Sequence, residues 1–148
     1  MKGNILIKEY ISELCDILEI SEPTISYDAS DFSTKTTMAQ YAPYEDIIYI
    51  RKKEKPDPDY MFAIAHEVRH AWQFKTNKAF YFKDYKSSDQ IENLEKYNMQ
   101  IAEVDANAFA GIVMTDFFSL APQWHGFTEK NIEAIKARIE YLITTTLK

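Results

Sequence analysis

His66-Glu67-Val68-Arg69-His70 constrains this chain more than any other stretch, because its residues form a chemical unit only on a helix. Two of the three histidines stand four residues apart, with Glu67 directly after the first. Residues at that spacing share a helix face, so both imidazoles can point at one ion. A shuffled chain of this composition would carry the pattern about three times in a thousand, and the surroundings argue further against chance. Asp57 can serve as N-cap, Pro58 as the first helical residue, and Asp59 adds negative charge to the first turn. The helix is expected to run to Lys75. Met61, Ile64, Val68 and Ala71 stand opposite the histidines, where they can bury against a core.

Imidazole nitrogens suit Zn²⁺, and catalytic zinc sites keep one position open for water. Zinc lowers the pKa of that water to roughly 7. Glu67 sits about a quarter-turn from the histidines, where it can reach the water rather than the metal. That placement makes it the natural general base, and later the acid for a leaving amine.

A third ligand is needed. His125 is the remaining histidine, and Glu92, Glu95, Glu103 and Asp105 qualify by type. Glu103 is favoured by its neighbours. Met99, Gln100, Ala106, Asn107 and Ala110 share its helical face, and the alanines allow close approach to the motif helix. Asn107, one turn on, could hydrogen-bond a ligand from outside the metal shell. Asp105 points to a different face, as an exposed residue or a partner of a ligand. Glu92 and Glu95 lie near a helix start, where carboxylates favour the dipole anyway.

The rest of the chain supplies a scaffold. Ile5, Leu6, Tyr10, Leu14, Ile17 and Leu18 recur at helical spacing, so residues 2–20 read as an amphipathic helix stopped near Pro23. Strand signals follow at Thr24–Tyr27, Ser33–Ala39 and Ile47–Ile50, separated by turns at 28–31 and 43–46. A loop is expected over 76–88. Ser87-Ser88-Asp89-Gln90 has capping-box spacing and should open a long helix over 89–119. Thr128 should cap a last helix, 129–146, with Ile132, Ile135, Ile139 and Leu142 as its apolar stripe. Strands grouped early and helices later predict an α+β fold. Its length of 148 residues fits a single domain, 1–148.

Composition excludes several function classes. A net charge of −6, with the densest basic run at Arg51, Lys52, Lys53 and Lys55 broken by Glu54, argues against nucleic acid as the partner. One cysteine, Cys15, rules out an internal disulfide and a Cys-rich zinc site, and its apolar setting predicts a buried structural thiol. No stretch reads as a signal peptide or a membrane span, so the expected compartment is the cytoplasm.

At this point a resemblance emerges. His66-Glu67-Val68-Arg69-His70-Ala71, followed 37 positions after the first histidine by Glu103-Val104-Asp105-Ala106-Asn107-Ala108-Phe109-Ala110, resembles the ImmA/IrrE-type metallopeptidases over residues 41–114. The resemblance implies His66, His70 and Glu103 as zinc ligands and Glu67 as catalytic base. It also implies a small zincin-like domain of gluzincin type, a short sheet packed against the active-site helix, with the strand at Asp46–Arg51 bordering the cleft. Relatives often cleave repressors or other cytoplasmic regulators, so the implied substrate is a protein or peptide. The chain departs from the family pattern in Arg69, where Gly is common, and in Gly111–Asp116, where a Leu-Leu-Met-Pro run often stands.

Candidates for stabilising an oxyanion are Tyr41, Tyr81, Tyr85 and His125, with His125 preferred for its place in the Gln123–Gly126 turn. Tyr81–Tyr85 could line or cover the cleft, and Ile47–Ile50 could receive an extended substrate if it is an edge strand. The alternative to a zinc endopeptidase is a zinc-stabilised regulatory or interaction module without turnover, in which a fourth protein ligand such as His125 would close the site.

Overall fold

The computed structural model describes residues 7–28, 32, 37–88 and 90–146. The element order is α1 (Ile7–Leu18), β1 (Thr24–Ser26), β2 (Ala39–Ala42), β3 (Ile47–Ile50), α2 (Pro58–Phe82), α3 (Leu94–Asn98), α4 (Ile101–Phe118) and α5 (Glu129–Thr146). This is a mixed α+β architecture of the zincin-like kind expected from the sequence. No helix among the described residues is long and apolar enough to cross a membrane.

In α1, Tyr10, Ile11, Leu14 and Cys15 fall on one side and are buried. The helix ends where Glu19 turns left-handed at φ 56° and the Ile20 N–H closes back on the Cys15 carbonyl at 3.0 Å. Residues 2–6 of the expected helix lie outside the described residues.

The sheet has the order β1-β3-β2, with β1 parallel and β2 antiparallel to β3. β3 is therefore the central strand, paired on both sides, and cannot take up an extended substrate. Ile47–Ile50 thus fails the edge-strand condition for receiving a substrate, and the expectation that Asp46–Arg51 borders the cleft is corrected, since the cleft wall comes from the β2 segment. β1 and β2 are the edge strands among the described residues, and β2 is the edge that packs on α2. β2 itself replaces the expected Ser33–Ala39 strand, of which residues 33–36 lie outside the described residues. The turn segment 29–31 lies outside them too.

α2 starts as anticipated: Pro58 is its first residue and the Asp57 side chain accepts the Tyr60 N–H at 2.9 Å. Met61, Ile64, Ala65, Val68 and Ala71 form the heart of the core, where Tyr10 donates to the Met61 carbonyl at 2.9 Å. The helix runs seven residues past Lys75, through a break at Asn77 (φ −157°, ψ 60°), where a loop was expected. Asn77 Oδ1 accepts the Phe80 N–H at 3.3 Å and so caps a fresh turn that carries Tyr81 and Phe82 back against the helix.

The single long helix expected over 89–119 is two helices. Asn93 caps α3 by accepting the Lys96 N–H at 3.2 Å. Gln100 is extended (φ −63°, ψ 143°) and spends its amide on the loop instead, accepting the Lys86 N–H and donating to the Lys86 carbonyl, both at 2.8 Å. The Ser87–Gln90 signal forms a local turn, with Gln90 Oε1 accepting the Ser87 N–H at 3.0 Å; Asp89 lies outside the described residues.

α4 is apolar or small nearly all round and is sandwiched between α2 and α5. At Gly111 an added Cβ would come within 2.9 Å of Trp124, so only glycine lets the 121–127 segment lie this close. α5 opens on a reciprocal cap between Thr128 and Asn131, and its Ile135 and Leu142 are buried in a second small core with Ala108.

Candidate metal centre

Neighbouring turns of α2 present His66 and His70, and the first turn of α4 presents Glu103 between them. His66 Nε2 lies 3.1 Å from Glu103 Oε1, His70 Nε2 lies 3.0 Å from Glu103 Oε2, and the two Nε2 atoms are 3.0 Å apart. These separations are close to the roughly 3.3 Å edge of a tetrahedron with bonds of about 2.0–2.1 Å to a central zinc. Two imidazole lone pairs at such a distance repel unless a cation lies between them, so the donor set fits a divalent metal. His66, Glu67 and His70 also offer donor atoms within 4.8 Å of one another, but Glu67 is the more distant carboxylate, 3.6 Å from His66 Nε2 against 3.1 Å for Glu103.

The outer nitrogens of both rings are committed elsewhere. His66 Nδ1 faces Asn107 Oδ1 at 2.7 Å, and His70 Nδ1 faces Gln73 Oε1 at 2.8 Å. An amide oxygen accepts, so each ring donates from Nδ1, which leaves Nε2, aimed at Glu103, as the atom each ring would offer a metal.

Electrostatics match this arrangement. Burial would raise Glu103, which is 2% exposed, but His70 and His66 beside it hold the carboxyl well below its usual value. Burial would lower His70, but Glu103 outweighs it and pushes the imidazole up to about 9 in the protein without metal. A metal would therefore replace positive charge already favoured at this spot.

Glu67 stands on the cleft side. Its Oε1 accepts the backbone N–H of Tyr41, on the free edge of β2, at 2.7 Å. The cleft has a volume of about 510 Å³, and its walls include Tyr41, Glu67, His70, Phe82, Tyr85 and Tyr97. Tyr85 donates to Glu103 Oε2 at 2.6 Å and lies 3.1 Å from the Tyr97 hydroxyl. Burial, then the Glu103 charge, raises the Tyr85 pKa, so this hydroxyl stays a donor.

The structure brings together His66, Glu67, His70, Glu103 and Tyr85. It does not bring His125 to them. That side chain is 73% exposed, its nearest carboxylate is Asp59 at 3.8 Å, and it lies in a separate groove with Phe62 and Trp124. Asp105 is buried on the other face of α4 against Arg69 and Arg138, the position a residue two after Glu103 must take. Among the other tyrosines, Tyr41 donates its hydroxyl to Asp46 and Tyr81 accepts from Arg138. Glu92 is exposed and Glu95 sits in the first turn of α3, both apart from the donor cluster. Sequence reasoning missed Gln73 and Tyr97. Gln73 stands three residues after His70, on the same helix face, and that spacing is the signal that could have found it.

The model of a peptidase family, described as the IrrE N-terminal-like domain, matches residues 20–139. No curated protein and no solved structure matched the chain. The family match covers most of the sequence and takes in the whole cluster from His66 to Asn107, so the chain belongs to the IrrE N-terminal-like peptidase family.

Proposed function

We propose that this member of the IrrE N-terminal-like peptidase family is a zinc-dependent endopeptidase that cuts a protein or peptide substrate in its β2–α2 cleft. The observation that carries the reading is the convergence of His66 Nε2, His70 Nε2 and the Glu103 carboxylate at 3.0–3.1 Å beside an open cleft holding Glu67. His66, His70 and Glu103 would hold Zn²⁺, which when bound supplies Lewis acidity and lowers the pKa of water to about 7. Zinc is inferred from ligand type, and Mn²⁺, Fe²⁺ and Co²⁺ suit the same nitrogen and oxygen donors.

Glu67 takes the proton from the attacking water and delivers it to the leaving amine. The Tyr41 N–H fixes the carboxylate at the cleft wall while it does so. Tyr85 has its hydroxyl at the rim of the donor set, where it can turn from Glu103 to the oxyanion that develops on the substrate carbonyl. Met38 faces β3 through its carbonyl, which accepts the Arg51 N–H, so by strand alternation Ala39 turns its backbone N–H and C=O to the free edge. An extended substrate can add there, beside β2.

The alternative, a zinc-stabilised module without turnover, calls for a fourth protein ligand. His125, the candidate for that part, points into another groove, which supports the open site. Zinc-loaded protein incubated with a proteome-derived peptide mixture provides the test. New peptide termini that depend on zinc and vanish with Glu67→Gln are the expected result. Full cleavage by Glu67→Gln would refute the mechanism, and zinc binding without any cleavage would support the module.

A further inference from the structure

Behind the metal face lies a buried polar chain that crosses from α2 through α4 to α5. Gln73 is fully buried on α2. Its Nε2 donates to the Ala102 carbonyl at 2.9 Å and to Asp105 Oδ2 at 2.8 Å. A flipped amide would set its oxygen against these two acceptors, so the amide has one tolerable orientation. In that orientation Oε1 faces His70 Nδ1 at 2.8 Å.

Asp105 in turn is saturated. Its Oδ2 also accepts from Arg69 Nε at 2.7 Å, and its Oδ1 accepts from Arg69 Nη2 at 3.1 Å and from Arg138 Nε at 2.8 Å. Four N–H donors occupy the four acceptor sites of a carboxylate, leaving no place for a proton. Arg69 stacks over Trp72 at 3.7 Å, which holds the guanidinium in register. The departure from the family pattern at Arg69 thus has a partner in Asp105.

We propose that Gln73 and Asp105, anchored by Arg69 and by Arg138 of α5, are positioning residues that fix His70 with its proton on Nδ1 and its Nε2 lone pair on the metal. The proposal rests on the metal site inferred above. It makes α5, which packs on the far side of α4 and offers no ligand, part of the metal centre. His66 has a shorter version of the same device in Asn107.

The test is zinc affinity, measured by competition with a chromogenic chelator, together with the His70 side-chain nitrogen and proton signals of the zinc-loaded protein by NMR. Gln73→Leu should weaken zinc binding about 10- to 100-fold and expose the His70 Nδ1 proton to rapid exchange. Gln73→Glu keeps an acceptor for that proton but sets its other oxygen against Asp105 and the Ala102 carbonyl, so it should not recover the affinity lost in Gln73→Leu. Arg138→Met should cost about threefold, acting at two removes. Leu142→Ala, which loosens α5 without touching Asp105, should leave the affinity unchanged. If wild type binds zinc and Gln73→Leu binds it equally well with the His70 proton still protected, the relay is wrong and the site stands. If Leu142→Ala loses as much affinity as Arg138→Met, α5 acts through packing and its role in the relay is wrong. If wild type binds no zinc, the metal site falls and the relay with it.

Discussion

Glu67 accepts the backbone N–H of Tyr41 at 2.7 Å, so the edge of the sheet holds the proposed general base. A glutamine can accept the same N–H but cannot take a proton from water. Glu67→Gln should therefore keep its zinc content and its fold while losing at least about 100-fold in kcat. Parallel zinc analysis and peptide cleavage on the same preparation check this.

Tyr85→Phe removes the hydroxyl that donates to Glu103 Oε2 at 2.6 Å and leaves the ring against Phe82 and Tyr97. If the hydroxyl also serves the oxyanion, kcat should fall by about 10²-fold or more with KM little changed. A loss of zinc affinity with kcat preserved at saturating zinc would confine Tyr85 to holding Glu103.

Asp105→Ala leaves Arg69 buried without its carboxylate and strips Arg138 of the same partner. The expected cost is about 3–5 kcal/mol in urea unfolding, the range for breaking a buried ion pair. Burial pushes the Asp105 pKa up, but Arg69, Gln73 and Arg138 together bring it below the usual 3.8. Because the folded value is depressed, this stabilisation is present above about pH 4 and is lost as the pH falls through the folded value. Wild type should therefore lose stability on acidification below pH 4 more steeply than Asp105→Asn.

Cys15 is fully buried, and burial, then the nearby Glu22 charge, pushes its thiol up to about 11. Iodoacetamide at pH 8 should leave it untouched in the native protein and modify it once the chain is unfolded in urea. With the folded pKa raised, the thiol's contribution to stability is intact below the usual value of 9 and is lost as the pH rises through about 11. Alkylation of native protein at pH 8, at the rate of a free thiol, would contradict the burial.

The parts of the site legible in the sequence are those set by helix geometry. Asp57 and Pro58 mark the start of α2, the four-residue spacing pairs His66 with His70, and the same spacing pairs Glu103 with Asn107. What escaped depends on side chains reaching between elements. Gln100 leaves the helical pattern because its amide pairs with the Lys86 backbone, and that pairing carries Tyr85 over Glu103. Asn77 caps its own turn and so extends α2 through a stretch that reads as loop. Strand order is not written in local pattern either: Ile47–Ile50 has the apolar character of a strand, and only the parallel pairing of β1 makes it central and gives the cleft to β2. His125 drew attention as the last histidine, yet the close approach of Trp124 to Gly111 fixes its turn against α4 and leaves the imidazole in solvent.

The most direct test of the account is the zinc content of purified wild type by elemental analysis, beside His66→Ala and Glu103→Ala. The predicted result is about one zinc per chain in wild type, in line with a single three-residue donor set, with the metal lost or sharply weakened in both variants. Wild type that takes up no zinc, even after incubation with it, or a Glu103→Ala variant that holds zinc as tightly as wild type, would contradict it.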